Sequence, residues 1–417
     1  MHRRKFLGGA GSLGLLAMLQ ACRLTNLTGS EPTPQLSSLR SPTPYPTYTP
    51  YPTYTPFALT PDSPVPTATG TLEGPPTGEP TVEPTPTDTP TPTPTPTPYP
   101  PGPPSKLGLF LTKFEGQVLE MLETAKPALI KTLEFDPNYV KGLKEASPSS
   151  ILIARLTPGP GGLDDRDPAE AARQFVAELL PLATETRRAE AIDAWEGPNE
   201  PLADTPDRMQ RLAAFEAERP RLLAAEGIRS VVGNFATGQP PLELWPDFQP
   251  ALEAIRQHAG FLGLHEYSAP FMQYMAGDFQ PDGKPSEGDE GWLTLRYRKV
   301  YRHFLAPMGY ADLPLLITEC GVDGLVQPRP GPAEATGWQE FIPAWLEAGE
   351  RNDPPGVYMD QLIWYDQHLQ RDDFVKGAAI YTIGTNNPDW ETYNLLGADS
   401  GRIFDLLTQY LEVHPPR

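Results

Sequence analysis

Two glutamates, each at the end of an apolar run, are the residues of this chain best suited to chemistry. The stretch WEGPNEP at 195–201 contains Glu200, and the stretch LLITECG at 315–321 contains Glu319. Two carboxyl groups at the ends of two strands can cleave a glycosidic bond, one as a proton donor and the other as a nucleophile. If both strands belong to one barrel, this pattern predicts a site for such cleavage.

The elements that must position these glutamates are short apolar runs that alternate with amphipathic helices. Alternation of this kind indicates a parallel sheet covered by helices, and eight such units favour closure into an α/β fold of the (β/α)8 TIM-barrel type. Glu200 and Glu319 then follow strands four and seven, at the end of the barrel where active sites lie. The predicted strands are 107–111, 128–135, 150–156, 191–195, 230–234, 261–267, 314–318 and 377–383.

The order of these motifs resembles a known family. Asn199-Glu200-Pro201 after strand four and Thr318-Glu319 at strand seven resemble the retaining glycoside hydrolases on (β/α)8 barrels often called clan A, which include cellulases, mannanases, xylanases and β-xylosidases. The resemblance covers about residues 106–417. It implies that Glu200 is the general acid/base, that Glu319 is the nucleophile and that Asn199 binds the sugar 2-hydroxyl group.

Further substrate-binding residues follow from the same resemblance. His265 and Tyr267 on strand six are candidates to contact the nucleophile, and the alternative for His265 is a structural histidine at the barrel rim. Many members of the clan have a Trp at the end of strand eight, whereas this chain has Tyr381 there and Trp390 a few residues later. We expect Trp195, Tyr381 and Trp390 to contact the sugar.

Other residues near these motifs have two interpretations. Arg155, at the end of predicted strand three, either orients a carboxylate or sugar or forms a salt bridge at the barrel rim. Glu196 is expected to be the structural partner of a barrel arginine rather than a catalytic acid. Cys320 has no His-Asp pattern to activate it, so we expect a buried thiol. The sequence shows no metal-ligand cluster and no cofactor-binding motif, and we expect neither a metal nor a cofactor.

The first 22 residues have the pattern of an export signal. A basic start at His2–Lys5 precedes a short apolar core, and Leu19-Gln20-Ala21-Cys22 resembles a bacterial lipobox. We therefore expect export, lipidation of Cys22 and attachment to the membrane through that lipid. The alternative is an ordinary cleaved signal. The Arg3-Arg4 pair also resembles a twin-arginine signal, so the export route stays open.

Residues 23–105 are predicted to form a linker. The chain has 54 prolines, and this segment contains a large share of them, including the Thr-Pro run at 89–98. Proline fixes φ and removes backbone donors, so we expect a disordered or polyproline II stalk at about 3.1 Å per residue. The catalytic-type domain is then residues 106–417.

Charge narrows the class of partner. The net charge of −20 disfavours binding to nucleic acid and to anionic membrane surfaces. A neutral carbohydrate substrate is consistent with this charge, and we expect a monomer. Two rival functions remain: a carbohydrate-binding protein that lost turnover, and a scaffold module displayed on the stalk.

Overall fold

The computed structural model describes residues 99–157, 166–277, 288–397 and 400–416. The predicted signal peptide, Cys22 and most of the predicted linker lie outside the described residues.

Eight parallel strands form a closed barrel in which each strand pairs with its neighbours in sequence and β1 pairs with β8. The predicted (β/α)8 TIM barrel is therefore confirmed. Strand β7 is longer than predicted, so that Glu319 lies within it. The strands are β1 (Leu107–Leu111), β2 (Leu129–Thr132), β3 (Ile151–Ala154), β4 (Ala194–Glu196), β5 (Ser230–Phe235), β6 (Phe261–Ser268), β7 (Leu315–Val322) and β8 (Val375–Ile383).

Helices follow the strands and cover the barrel. Short 3-10 segments at Leu242–Phe248, Trp338–Phe341 and Pro388–Tyr393 and a π-helical turn at Tyr301–Leu305 interrupt them. The α-helices are α1 (Gly116–Thr124), α2 (Pro137–Ala146), α3 (Pro168–Ala183), α4 (Thr186–Ala191), α5 (Pro206–Ala225), α6 (Gln249–Gln257), α7 (Arg296–Val300), α8 (Ile342–Glu347), α9 (Pro354–Leu369) and α10 (Gly401–Val413).

Four of these helices begin with the same two-residue signal, a capping side chain followed by proline. Asp136, Asp167, Thr205 and Asp353 each accept a hydrogen bond from a backbone N–H in the first turn of α2, α3, α5 and α9. The cap satisfies a donor that has no partner within the helix, and the fixed φ of proline suits the first helical position. The sequence therefore sets where these four helices start.

The barrel interior is closed by one apolar side chain from each strand. These residues form a cluster separate from the larger core between strands and helices. The interior residues are Phe110, Leu129, Ile153, Ala194, Val231, Phe261, Leu316 and Ala379.

Strand periodicity decides which side chains stand above this apolar layer. Alternate residues of a strand face the same side of the sheet, so the residue two positions after an interior residue also faces inward. Lys131, Arg155, Glu196 and Tyr381 each follow an interior residue by two positions. The C-terminal end of the barrel is therefore polar and charged.

The chain approaches the barrel beside its last helix. Tyr99 packs edge-on against Tyr410, with ring centroids 5.5 Å apart. The backbone N–H groups of Gly102 and Ser105 donate to the carbonyls of Val413 and His414 at 3.3 and 3.0 Å. Residues 99–105, which the sequence assigned to the linker, thus contact the end of α10. Within the described ranges, no helix combines the length and the apolar character needed to cross a membrane.

Candidate active site

Glu319 lies on β7 in a ring of hydrogen-bond donors. Its Oε1 accepts hydrogen bonds from Lys131 Nζ at 3.0 Å and Arg155 Nη1 at 2.8 Å, and its Oε2 accepts one from Tyr267 Oη at 2.9 Å. The carboxylate is 6% exposed, so these donors replace most of its contact with water. Three donors on two oxygens fix both the charge and the orientation of the carboxylate.

The surroundings of Glu319 favour its ionised form. Burial by itself raises the pKa of Glu319, but His265, Lys131 and Arg155 outweigh burial and hold that pKa well below its usual range. Burial and the nearby Glu319 raise the pKa of Tyr267 well above its ordinary value, so its hydroxyl keeps a proton to donate. Glu319 is therefore a buried, oriented carboxylate.

Glu200 ends the loop after β4 in an unusual backbone conformation. Its φ is 45°, in the left-handed region that non-glycine residues seldom adopt. Such a residue costs about 1–3 kcal/mol and persists where neighbours impose it. The backbone N–H of Glu200 donates to the carbonyl of Asn234 on β5 at 3.1 Å, and its Oε1 lies 2.8 Å from His265 Nδ1. These two contacts hold the carboxyl group over the barrel end.

The two carboxyl groups face each other beside His265. One carboxylate oxygen each from Glu200 and Glu319 and one ring nitrogen of His265 all lie within 4.8 Å of one another. His265 Nδ1 is also 3.6 Å from Glu319 Oε2. This trio has ligand types that can hold a metal ion. Lys131 and Arg155 already place two positive charges beside Glu319.

Lys131 and Glu196 were not identified from the sequence as parts of the site. Lys131 is fully buried, and its Nζ lies 3.0 Å from both Glu196 Oε2 and Glu319 Oε1. Glu196 is buried as well, with Arg155 Nη1 3.9 Å away. Glu196 thus has the expected arginine partner in Arg155, but Lys131 lies closer to its carboxylate. The signal for Lys131 was a charged residue inside a short apolar strand.

Arg155 joins several of these groups. Its guanidinium donates hydrogen bonds to Glu319 and also to Asn199 Oδ1. The side chain of Asn199 is thus held beside Arg155. Both interpretations of Arg155 describe its contacts: it donates a hydrogen bond to the carboxylate of Glu319, and it belongs to a salt-bridge cluster at the end of the barrel.

A cavity of about 400 Å³ opens over the carboxyl pair. Of the predicted site residues, it brings together Arg155, Glu200, Tyr267, Glu319, Tyr381 and Trp390. His265 and Asn199 do not line the cavity but contact Glu200 and Arg155 respectively. The remaining lining residues are Ala236, Thr237, Asp323, Leu325, Val326, Thr336, Glu340, Pro388, Asp389, Thr392 and Tyr393.

The prediction that Trp195 contacts the sugar is wrong, because its side chain does not reach the cavity. Its side chain is 1% exposed and packs in the outer core against Phe135, with ring centroids 5.8 Å apart. The reason is strand periodicity: Ala194 and Glu196 face the barrel interior, so the residue between them faces the helices. Trp195 is a packing residue and does not line the cavity.

Aromatic side chains nevertheless line one wall of the cavity. Tyr381, joined to Thr382 by a cis peptide bond, contacts Tyr267, Trp390 and Tyr393 edge-on, with ring centroids 6.3, 5.8 and 5.2 Å away. Apolar ring faces beside polar groups are typical of ligand pockets.

Asp323 and Tyr393 are cavity residues that the sequence analysis missed. Asp323 follows β7, and its carboxylate accepts a hydrogen bond from Tyr393 Oη at 2.8 Å. Burial raises the pKa of Asp323 to about 6, outweighing the hydrogen bonds from Leu325 and Tyr393. The two residues are 70 positions apart in sequence, and no local pattern marks them as partners.

Comparisons with known proteins return structural likenesses alone. No protein-family model matches the chain, and no curated protein matches its sequence. The chain is similar to a glucosidase from Croceicoccus marinus, at 13% identity and a TM-score of 0.43 over 76% of this chain and 68% of that chain. It is also similar to a hyperthermostable endo-1,4-beta-D-mannanase from Thermotoga petrophila RKU-1, at 13% identity and a TM-score of 0.40 over 74% of this chain and 99% of the mannanase.

A third similar structure is a glycoside hydrolase family 5 enzyme from Prevotella bryantii B14 in complex with a xyloglucan tetradecasaccharide. Its identity is 12% and its TM-score 0.40, over 72% of this chain and 86% of that chain. Likenesses at this level do not assign a function, which must be inferred from the side chains of the cavity.

Proposed function

We propose that this protein is a retaining glycoside hydrolase in which Glu319 is the nucleophile and Glu200 the general acid/base. The observation that carries the proposal is the carboxyl pair, whose oxygens approach within 4.8 Å at the wall of one cavity. Retaining enzymes have carboxyl groups about 5–5.5 Å apart, whereas inverting enzymes need about 6.5–9.5 Å to admit a water molecule between them.

In the first step, a carboxylate oxygen of Glu319 attacks the anomeric carbon of the sugar. The bond to the glycosidic oxygen breaks, and that oxygen takes the proton of Glu200 and leaves as an alcohol. The donors around Glu319 keep it ionised before attack, and Tyr267 holds its second oxygen. The product of this step is a glycosyl ester on Glu319.

In the second step, Glu200 accepts a proton from water as the water oxygen attacks the same carbon. The ester bond to Glu319 breaks, the carboxylate is released, and Glu200 is protonated again. Two inversions at the anomeric carbon give net retention. Formation of the ester removes the negative charge of Glu319, and Glu196 remains as a counter-charge for Lys131.

The decisive experiment is mechanism-based labelling. A panel of activated 2-deoxy-2-fluoro glycosides is incubated with the protein, and the digest is analysed by mass spectrometry. We expect one sugar attached to Glu319. In a separate NMR experiment on glycosides that carry the 2-hydroxyl group, the first product of hydrolysis should retain the anomeric configuration of the substrate. Absence of labelling and of hydrolysis across the panel, with glycan binding intact, would instead support the carbohydrate-binding alternative.

Isosteric variants separate the two roles. Glu319→Gln should abolish hydrolysis of every aryl glycoside. Glu200→Gln should lose most activity on poor leaving groups and much less on a dinitrophenyl glycoside, because that leaving group needs no proton. Glu226→Gln, at an exposed position after α5, is the matched control. Equal loss by Glu200→Gln on good and poor leaving groups would contradict its role as the acid.

We also propose that the protein acts outside the cytoplasm, tethered through a lipid on Cys22. The basic start, the apolar core and the Leu-Gln-Ala-Cys sequence support this location. Metabolic labelling with a fatty acid should mark the wild type and not Cys22→Ser, which should move from the membrane fraction to the soluble fraction. Labelling that persists in Cys22→Ser would contradict the anchor. Sedimentation of the purified protein tests the expected monomer.

A further inference from the structure

Asp323 is held in the cavity wall beside the proposed nucleophile. It follows the last residue of β7, four positions after Glu319. Its backbone N–H donates to the carbonyl of Ser268 on β6 at 3.2 Å, and a backbone bridge joins it to Gly337. The backbone of Asp323 is therefore held from two sides.

One oxygen of the Asp323 carboxyl group is used by the protein and the other is not. The backbone N–H of Leu325 and the hydroxyl of Tyr393 both donate to Oδ1, each at 2.8 Å. From the residues that the structure describes, no hydrogen bond reaches Oδ2. The side chain lines the cavity, and Oδ2 is not fully buried. An acceptor oxygen is thus left for a group inside the cavity.

Within the described part of the chain, Asp323 also forms no salt bridge with a lysine, arginine or histidine. The nearby Arg329 donates instead to the backbone carbonyls of Gly324, Pro332 and Ala335 and so shapes the loop after β7. A largely buried carboxyl group without a salt-bridge partner is costly and is common at functional sites. Neutral hydroxyl donors would supply the hydrogen bonds that this oxygen lacks.

We propose that Asp323 is a specificity-determining residue, which accepts hydrogen bonds through Oδ2 from one or two adjacent hydroxyl groups of the sugar in the cavity. This inference rests on the proposed glycosidase function. It further assigns the site to uncharged sugars rather than uronic acids. The acidic side chains of Glu340 and Asp389 share the cavity with Asp323, and the carboxylate of a uronic acid would be repelled by all three.

The test uses the full chain and the best aryl glycoside of a neutral sugar, together with its monodeoxy analogues. In the wild type, removing the hydroxyl that Asp323 reads should lower kcat/KM by roughly 10²-fold or more, because the carboxylate then loses its partner. In Asp323→Ala and in the isosteric Asp323→Asn, the parent glycoside should lose a similar factor. Both variants should hydrolyse the parent and that one deoxy analogue at nearly equal rates.

Controls separate specificity from folding. Asp405→Asn makes the same chemical change on the exposed face of α10 and should match the wild type on every substrate. Tyr393→Phe removes one of the two donors that hold Asp323 and should weaken the discrimination partially. Melting temperatures identify any variant that fails to fold.

The outcomes of this experiment distinguish the two proposals. Labelling of Glu319 by the fluoro glycoside, together with unchanged discrimination in both Asp323 variants, would overturn the role of Asp323 alone. If both Asp323 variants lose the same factor relative to the wild type on the parent glycoside and on every deoxy analogue, the role of Asp323 is overturned as well. Loss of a purely structural residue would give that result. Failure of the wild type to be labelled or to hydrolyse any glycoside would overturn the proposed function itself.

Discussion

Lys131 Nζ lies 3.0 Å from the carboxylate of Glu319, and the lysine side chain is fully buried. The same ammonium group lies 3.0 Å from Glu196, so one cation serves two buried acids. Removing one member of a buried ion cluster leaves uncompensated charge and costs about 3–5 kcal/mol.

The first prediction concerns this cluster. Lys131→Met should lower the free energy of unfolding by about 3–5 kcal/mol and reduce kcat at least tenfold, because Glu319 loses a charge that keeps it ionised. The double variant Lys131→Met/Glu196→Gln removes one positive and one negative charge. It should recover much of the stability but not the activity. Urea unfolding and aryl glycoside kinetics measure the two effects, and recovery of both together would contradict a functional role of Lys131.

A second prediction distinguishes Trp195 from Trp390, which the sequence analysis both assigned to contact with the sugar. Trp195→Ala should destabilise the fold by about 3–5 kcal/mol, because it opens a cavity in the outer core. Trp390→Ala should leave the melting temperature nearly unchanged and raise KM, because Trp390 lines the cavity over the carboxyl pair. Thermal melts and steady-state kinetics on both variants provide the comparison. A selective rise of KM in a stably folded Trp195→Ala would contradict its placement in the core.

A third prediction concerns the support beneath Glu200. A Cβ atom at Gly263 on β6 would lie 2.2 Å from Asn234 Oδ1 and 2.9 Å from Val231 Cγ1. Gly263→Ala should therefore displace Asn234, whose carbonyl holds the backbone of Glu200, and reduce kcat. Gly116→Ala is the matched control, since a Cβ at Gly116 meets nothing within 4 Å. In that first helical turn, alanine should be neutral or stabilising by up to about 1 kcal/mol.

A fourth prediction follows from Glu266, which faces outward from β6. It accepts hydrogen bonds from the backbone of Leu295 and Tyr297 and from the hydroxyl of Tyr365, at 2.7, 2.7 and 2.6 Å. Burial raises the pKa of Glu266 to about 7, against an ordinary value of 4.5. Its contribution to stability is therefore fully present below pH 4.5 and is lost as the pH rises through 7.

The measurement for Glu266 is urea unfolding between pH 4.5 and 8 for the wild type and Glu266→Gln. The difference in unfolding free energy between the two proteins should change by about 3 kcal/mol across this range, with the wild type losing more. A difference that is constant with pH would show that Glu266 titrates alike in the folded and unfolded chains.

The sequence by itself determined the strand order, and through it the positions of Glu200 and Glu319. Both follow from local patterns: apolar runs predict strands, capping residues before proline predict helix starts, and strand ends place the two acids at one end of a barrel. His265 and Tyr267 on β6 and Arg155 directly after β3 also reach the carboxyl pair, because the apolar pattern indicates the positions of both strands.

Tertiary structure alone decided which further side chains belong to the site. Lys131 reaches Glu319 across 188 positions of sequence, and Tyr393 reaches Asp323 across 70. Trp195, next to the motif, turns away from the site, because its facing depends on the register of β4 rather than on its distance along the chain. Barrel closure brings Lys131 to Glu319, since it sets which residues of the eight strands face inward, and the loops after β7 and β8 bring Asp323 and Tyr393 together.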